Sequence, residues 1–277
     1  LGRIPLGPSP FVSYSAMIVA GPLTRTVRDA ALYLDCTAGD HPADPYSLPK
    51  PRRSFLACLD DMPVHLRIAF SPDLGYARVQ KEVIECVDQA VHAFEEMGHT
   101  VEVWTGRLPD MGDVWTQLIA TDIFAQLGDA LERERDREQI GRTLVATVDN
   151  VRNLTVVDLS AIQKARARLN GILEALFDTY DLLLTPTMPT VAFGAGGPPP
   201  AEIDGHPIPL LGAVAFTYPF NLSGNPAASV PAGFAAGGLP GGLQIIGPRL
   251  RDVRVMQAAR AYETIRPWNN CRPRLEA

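Results

Sequence analysis

The hydrophobic positions change period several times along the 277 residues. Pro5, Pro8, Pro10 and Pro22 punctuate an opening stretch that reads as loop. Val27, Ala30, Ala31, Leu34 and Ala38 then recur at helical spacing. Thr26 with Asp29 three residues on supplies the start of that helix, and Gly39 its stop. After a Pro/Asp-rich loop, residues 65–104 read as strand, helix and strand. His65-Leu-Arg-Ile-Ala-Phe70 is a short strand pattern. Val79, Val83, Cys86, Val87, Ala90, Val91, Phe94 and Met97 share one helix face stopped by Gly98, and Thr100-Val-Glu-Val-Trp104 alternates like a strand. A unit of this length implies a right-handed crossover between parallel strands.

From about 110 to 179 the period is helical, weakening near Gly141 and Asn153. Asp181-Leu-Leu-Leu184 follows as a buried strand running into Thr185-Pro-Thr-Met-Pro189. Residues 190–212 form a long Gly/Pro-rich connection, a length that in folded domains is often functional. Ala228–Ala232 and Leu243–Ile246 read as strands flanking a Gly-rich turn, and a last amphipathic helix spans about Asp252 to Ile265. Alternating strands and helices predict an α/β layered fold with a largely parallel sheet. No repeat and no linker divides residues 1–277, so the chain is expected to contribute to a single domain.

Composition narrows the function classes. Apolar residues make up 46% and charged residues 20%, an ordinary globular balance, and the net charge of −6 disfavours a direct nucleic-acid partner. The alternating run Glu132–Glu138 reads as a solvated helix face. No apolar stretch is long enough to span a membrane. Cys36, Cys58, Cys86 and Cys271 form no C-x-x-C pair and no histidine stands at metal-ligand spacing to them, so neither metal nor cofactor is expected, and a reducing cytoplasm is the natural setting. Cys36 and Cys86, within apolar helical patterns, are expected to be buried.

Candidate chemistry inside the chain is thin. Zinc-protease, phosphate-loop, dinucleotide and nucleophile-elbow patterns are absent from the sequence. His41, His65, His92, His99 and His206 are scattered, with His92 and His99 expected at the surface. Only three of the 25 basic residues are lysines, Lys50, Lys81 and Lys164, and each lies in a polar context. A lysine acting as a base near neutral pH needs burial or a neighbouring positive charge, so none of the three is a candidate.

Three stretches resemble the amidase-signature family, in its order and spacing. The first is Leu1-Gly-Arg-Ile-Pro5 through Gly21-Pro-Leu-Thr-Arg-Thr-Val-Arg-Asp-Ala-Ala31 to Asp44-Pro-Tyr-Ser47. The second is Tyr180-Asp-Leu-Leu-Leu-Thr-Pro-Thr-Met-Pro189. The third is Pro219-Phe-Asn-Leu-Ser-Gly-Asn-Pro-Ala-Ala-Ser-Val-Pro-Ala-Gly-Phe234, leading to Gly237–Gly247. The resemblance implies a mixed sheet wrapped by helices. It also implies amide cleavage through a serine acyl-enzyme, using a second serine in a cis peptide bond and a lysine base. The family's Gly/Ser-rich signature precedes the segment that Leu1–Pro5 resembles. The catalytic serines and lysine are therefore expected upstream of residue 1, no catalytic residue is assigned, and the chain alone is expected to be inactive.

What the resemblance leaves to this chain is the substrate side of the pocket: Tyr14, Ser15, Met17, Thr187, Phe220 and Asn221. The alternative for each is structural. Thr185, Pro186, Pro219 and Pro226 then only shape turns, and Phe220 is core. Ile18 stands where many relatives carry a small polar or acidic residue three positions before Gly21-Pro22, which favours a stand-alone amidase acting on a less polar small-molecule amide. Two other readings stay open: the glutamine-hydrolysing component of a tRNA-dependent amidotransferase, with partner subunits, and a non-catalytic binding module. A homodimer is also left open.

Overall fold

The computed structural model describes residues 1–7 and 15–272. Thr26 opens the first helix, α1 (Val27–Thr37): its hydroxyl accepts from the Asp29 amide at 3.1 Å and donates to the Asp29 carboxylate at 2.7 Å. A short α2 (Phe55–Cys58) is fastened to α1 because Asp35 accepts from the Phe55 and Leu56 amides. The expected strand, helix and strand follow as β1 (Arg67–Phe70), α3 (Lys81–Glu96) and β2 (Thr100–Val103), with Ile68 opposite Val101 in a parallel ladder. The long helical region divides into α4 (Gly112–Glu132), α5 (Glu134–Arg137), α6 (Arg142–Asp149) and α7 (Val156–Phe177), which begins with a full Thr155/Asp158 capping box. The central strand β3 (Leu182–Pro186) precedes a small ladder of β4 (Glu202–Ile203) and β5 (His206–Pro207) inside the Gly/Pro-rich connection. The chain closes with α8 (Tyr218–Ser223), the hairpin β6 (Ala227–Phe234) and β7 (Pro240–Ile246), and α9 (Asp252–Ile265).

Among the described residues the main sheet runs β2-β1-β3-β7-β6. It is mixed: β3 pairs in parallel with β1 on one edge and antiparallel with β7 on the other. Helices cover both faces, so the strands bury side chains in both directions. Ile68, Phe70, Leu182, Leu184, Leu243 and Ile245 enter one core with α1, α2, α3 and α9. Ala69, Leu183 and Ile246 enter the other, with α4, α7 and α8. Period-two alternation thus feeds two cores, which is why the strands read as unbroken apolar runs. In the first core Phe94 stacks on Tyr262 at 5.7 Å, and burial pushes the Tyr262 phenol up to about 12. Two adjacent glycines let the hairpin be approached closely: a Cβ at Gly241 would meet Cys86 Sγ at 2.9 Å, and one at Gly242 would meet Thr187 Oγ1 at 2.9 Å.

Several expectations change. His99 is buried rather than at the surface: Gly98, at φ +87°, turns the chain from α3 back into β2 and carries the imidazole under Phe94. Cys86 is buried as expected but Cys36 is exposed, because the face of α1 toward the core is set by Val27 and Ala31. The charged run is interrupted at Arg133, which leaves the helix with extended backbone. Its ion pairs nevertheless stay on the outside, Arg133 with Asp136 at 2.5 Å and Arg152 with Glu132 at 2.5 Å. No described helix is long and apolar enough to cross a membrane.

Burial, reinforced by neighbouring His65 and opposed by Asp181, lowers the His99 pKa, and its Nδ1 lacks a hydrogen-bond partner among the described residues. The folded chain therefore holds His99 neutral, while the unfolded chain takes up a proton near pH 6.5. The unfolded state binds more protons below that pH, so stability should fall as pH drops through the window below 6.5, with a slope of at most about 1.4 kcal/mol per pH unit for one proton. His99→Leu should lose less stability between pH 7 and pH 5 than the native chain in urea titrations. Equal losses would mean that His99 is not the group responsible.

Candidate functional site

Beyond β3, the chain turns at Thr187, whose amide donates to the Gly242 carbonyl at 2.8 Å and whose hydroxyl pairs with Ser229 at 2.7 Å. The hydroxyl of Thr185, one β-repeat earlier, points into the second core and meets Gln244 Nε2 at 3.0 Å. That same nitrogen donates to the Phe216 carbonyl at 2.9 Å. A buried glutamine in the middle of β7 thus ties the central strand to the turn that leads into α8. One side-chain amide satisfies a backbone carbonyl that burial would otherwise leave costly.

Helix α8 has Pro219 in its first turn and ends at Gly224, which adopts the left-handed conformation at φ +72°. Proline early and glycine just past the end are helix punctuation, the local signal that marks this short element. Tyr218 donates to Asp110 at 2.6 Å and Tyr76 to the Ala215 carbonyl at 2.5 Å. Burial raises both phenol pKa values, so both remain protonated hydrogen-bond donors rather than bases.

The loop before Gly21 returns to α8. Asn221 Nδ2 donates to the Met17 carbonyl at 3.0 Å. Ser15 donates to Asp122 on α4 twice, from its amide at 2.9 Å and from its hydroxyl at 2.6 Å. The guanidinium of Arg166, on α7, donates from Nη1 to the Ser15 carbonyl at 2.7 Å, from Nη2 to the Ala16 carbonyl at 3.0 Å and from Nε to the Leu222 carbonyl at 2.6 Å. Burial and the neighbouring Arg249 lower the Arg166 pKa from its ordinary value.

Of the six residues proposed from sequence, the structure gathers Ser15, Met17, Phe220 and Asn221 into this one cluster. Met17 is 1% exposed and Phe220 4%, both within the second core, while Ser15 and Asn221 are half-buried. Thr187 sits apart, in its own contacts with Ser229 and the β7 backbone. Tyr14 lies outside the described residues. Arg166, Asp122 and Gln244 were missed. Arg166 and Asp122 fall in helices whose charged residues looked solvated, whereas Gln244 carried a signal, a lone amide inside the apolar strand Leu243-Gln-Ile-Ile246. Among the described residues no cluster of histidine, cysteine and carboxylate groups is placed to hold a metal ion.

The sheet, the helical layers and the three sequence stretches that meet here define a class before any individual relative is considered. The family model for amidases matches residues 1–256. An acylamidase from Rhodococcus erythropolis is 34% identical over 91% of this chain and 53% of its own length. A glutamyl-tRNA(Gln) amidotransferase component from Thermosynechococcus vestitus is 29% identical over 94% of the chain and 58% of its own. A solved bacterial aryl acylamidase of the amidase-signature family superposes with a TM-score of 0.86 at 32% identity, covering 98% of this chain and 59% of that one. The 6-aminohexanoate cyclic dimer hydrolase gives 0.82 at 25% identity, with 99% and 60% covered. This chain belongs to the amidase-signature family, and it spans a little over half the length of these relatives.

Gln244→Leu keeps the volume and removes the shared donor, leaving the Phe216 carbonyl buried without its partner. The variant should lose about 1–3 kcal/mol of unfolding free energy in urea titration. An unchanged midpoint would show that the amide is not what holds β7 to the α8 turn.

Proposed function

We propose that this chain is the substrate-side portion of an amidase that hydrolyses carboxylic amides through a serine acyl-enzyme, with the two serines and the lysine base supplied by residues preceding Leu1. The observation that carries the reading is the 34% identity to the acylamidase across 91% of this chain but only 53% of that relative. The lysine environments support it: Lys50, Lys81 and Lys164 are all exposed, so none is desolvated as a neutral-pH base must be.

Within this reading, the wall of the pocket is formed by Tyr14, Ser15, Met17, Thr187, Phe220 and Asn221. Met17 and Phe220 are buried and Ser15, Thr187 and Asn221 half-buried, with Thr187 set apart from the other four beside Ser229. An apolar Ile18 beside Met17 favours a stand-alone amidase over the amidotransferase component, whose relatives commonly place an acid there. The unpaired cysteines fit a reducing, cytoplasmic setting.

The test is a fluorophosphonate serine probe together with an anilide hydrolysis assay. The 277-residue chain should be neither labelled nor active, while a polypeptide extended upstream should be labelled and hydrolyse the anilide. Labelling of the short chain would overturn the placement of the nucleophile, and an extended protein that resists the probe would overturn the amidase reading itself.

A further inference from the structure

We propose that Arg166 is a positioning residue: its guanidinium, with Asp122 and Asn221, fixes the backbone of residues 15–17 and locks it to the end of α8, so that the two chain segments act as one rigid wall. The functional side of this proposal rests on the amidase reading above, whereas the positioning itself does not.

Ala16 is the residue that most needs such support. Its φ of +53° lies in the left-handed region, which is strained for an L-residue with a Cβ. Alanine there is neither a glycine nor an asparagine able to compensate locally, so the conformation persists only if its surroundings impose it. The surroundings do so from three elements. Arg166 on α7 takes the Ser15 and Ala16 carbonyls, Asn221 on α8 takes the Met17 carbonyl, and Asp122 on α4 takes the Ser15 amide and hydroxyl. Three successive carbonyls are thus held by side chains rather than by a helix or a ladder.

The geometry of the guanidinium explains the choice of residue. Nη1 and Nη2 grip adjacent carbonyls of the loop while Nε reaches the Leu222 carbonyl at 2.6 Å, so one planar group spans two segments from opposite ends of the chain. A lysine, with one nitrogen on a flexible stem, cannot reproduce that spacing. Asp122 is itself buried, at 2% exposure, and therefore serves as a fixed acceptor. These three Arg166 bonds all go to backbone, so its effect on a substrate passes through Ser15, Met17 and Asn221.

The experiment compares Arg166→Met and Arg166→Lys with the native protein by two readouts. In the 277-residue chain, amide hydrogen exchange at residues 15–18 should accelerate at least about tenfold in Arg166→Met and less in Arg166→Lys, with β1 and β3 within about twofold of native. In the polypeptide extended upstream, KM for an anilide should rise about tenfold in Arg166→Met while kcat stays within about threefold, because a displaced wall weakens substrate binding. A uniform acceleration across β1 and β3, or a fall in kcat at constant KM, would mark a merely structural arginine and overturn the proposal. Unchanged exchange at 15–18 would overturn it as well. Accelerated exchange with unaltered KM and kcat would uphold the clamp and instead remove residues 15–17 from the substrate wall.

Discussion

The architecture depends on β3 being buried on both faces and hydrogen-bonded on both edges. Leu182 and Leu184 fill one core and Leu183 the other, while β1 pairs in parallel on one side and β7 antiparallel on the other. A strand in that position has no solvent in which to leave a backbone or side-chain polar group unsatisfied, which accounts for its apolar composition. It also makes the strand a fixed reference. The Thr187 turn leaves from its end, and everything that approaches this turn is located relative to the middle of the sheet.

Several of the polar side chains that enter this interior join segments distant in sequence. Gln244 links β7 to Thr185 and to the turn before α8. Asn225 reaches the Gly247 carbonyl at 2.8 Å, fastening the other end of α8 to the end of β7. Arg166 connects α8 with the loop at residues 15–17. Buried hydrogen bonds of this kind add modest net stability but are costly to leave half-made, so they specify one arrangement of the connections over others that the apolar layers would tolerate. The candidate site lies on the side of the second core, where Met17 and Phe220 pack.

The sheet elements were legible because their signals are local and strong. The face Val83, Cys86, Val87, Ala90, Val91 and Phe94 is a helical period interrupted by Gly98, and β3 and α9 are set off by Asp181 and Asp252 with clear apolar patterning behind them. His99 was misplaced because a position just past a helix looks exposed until the following strand is known to turn inward. Arg166 was passed over because an arginine on a long helix is ordinarily solvated, and its partners are the carbonyls of residues 15, 16 and 222. No pattern of residue types encodes a bond to a distant carbonyl.

The sequence by itself determined the family, the order of the main strands and helices, and the polar surroundings of its three lysines, because these follow from motif spacing, hydrophobic period and local context. Tertiary structure alone decided that β7 enters between β3 and β6 in the opposite direction, that Met17 and Phe220 share one core, and that Ser15 and Asn221 are brought together while Thr187 remains with Ser229. The reason is that period and propensity act within a few residues. Strand neighbours, shared cores and side chain to backbone bonds are settled only when layers far apart in sequence compete for the same buried space.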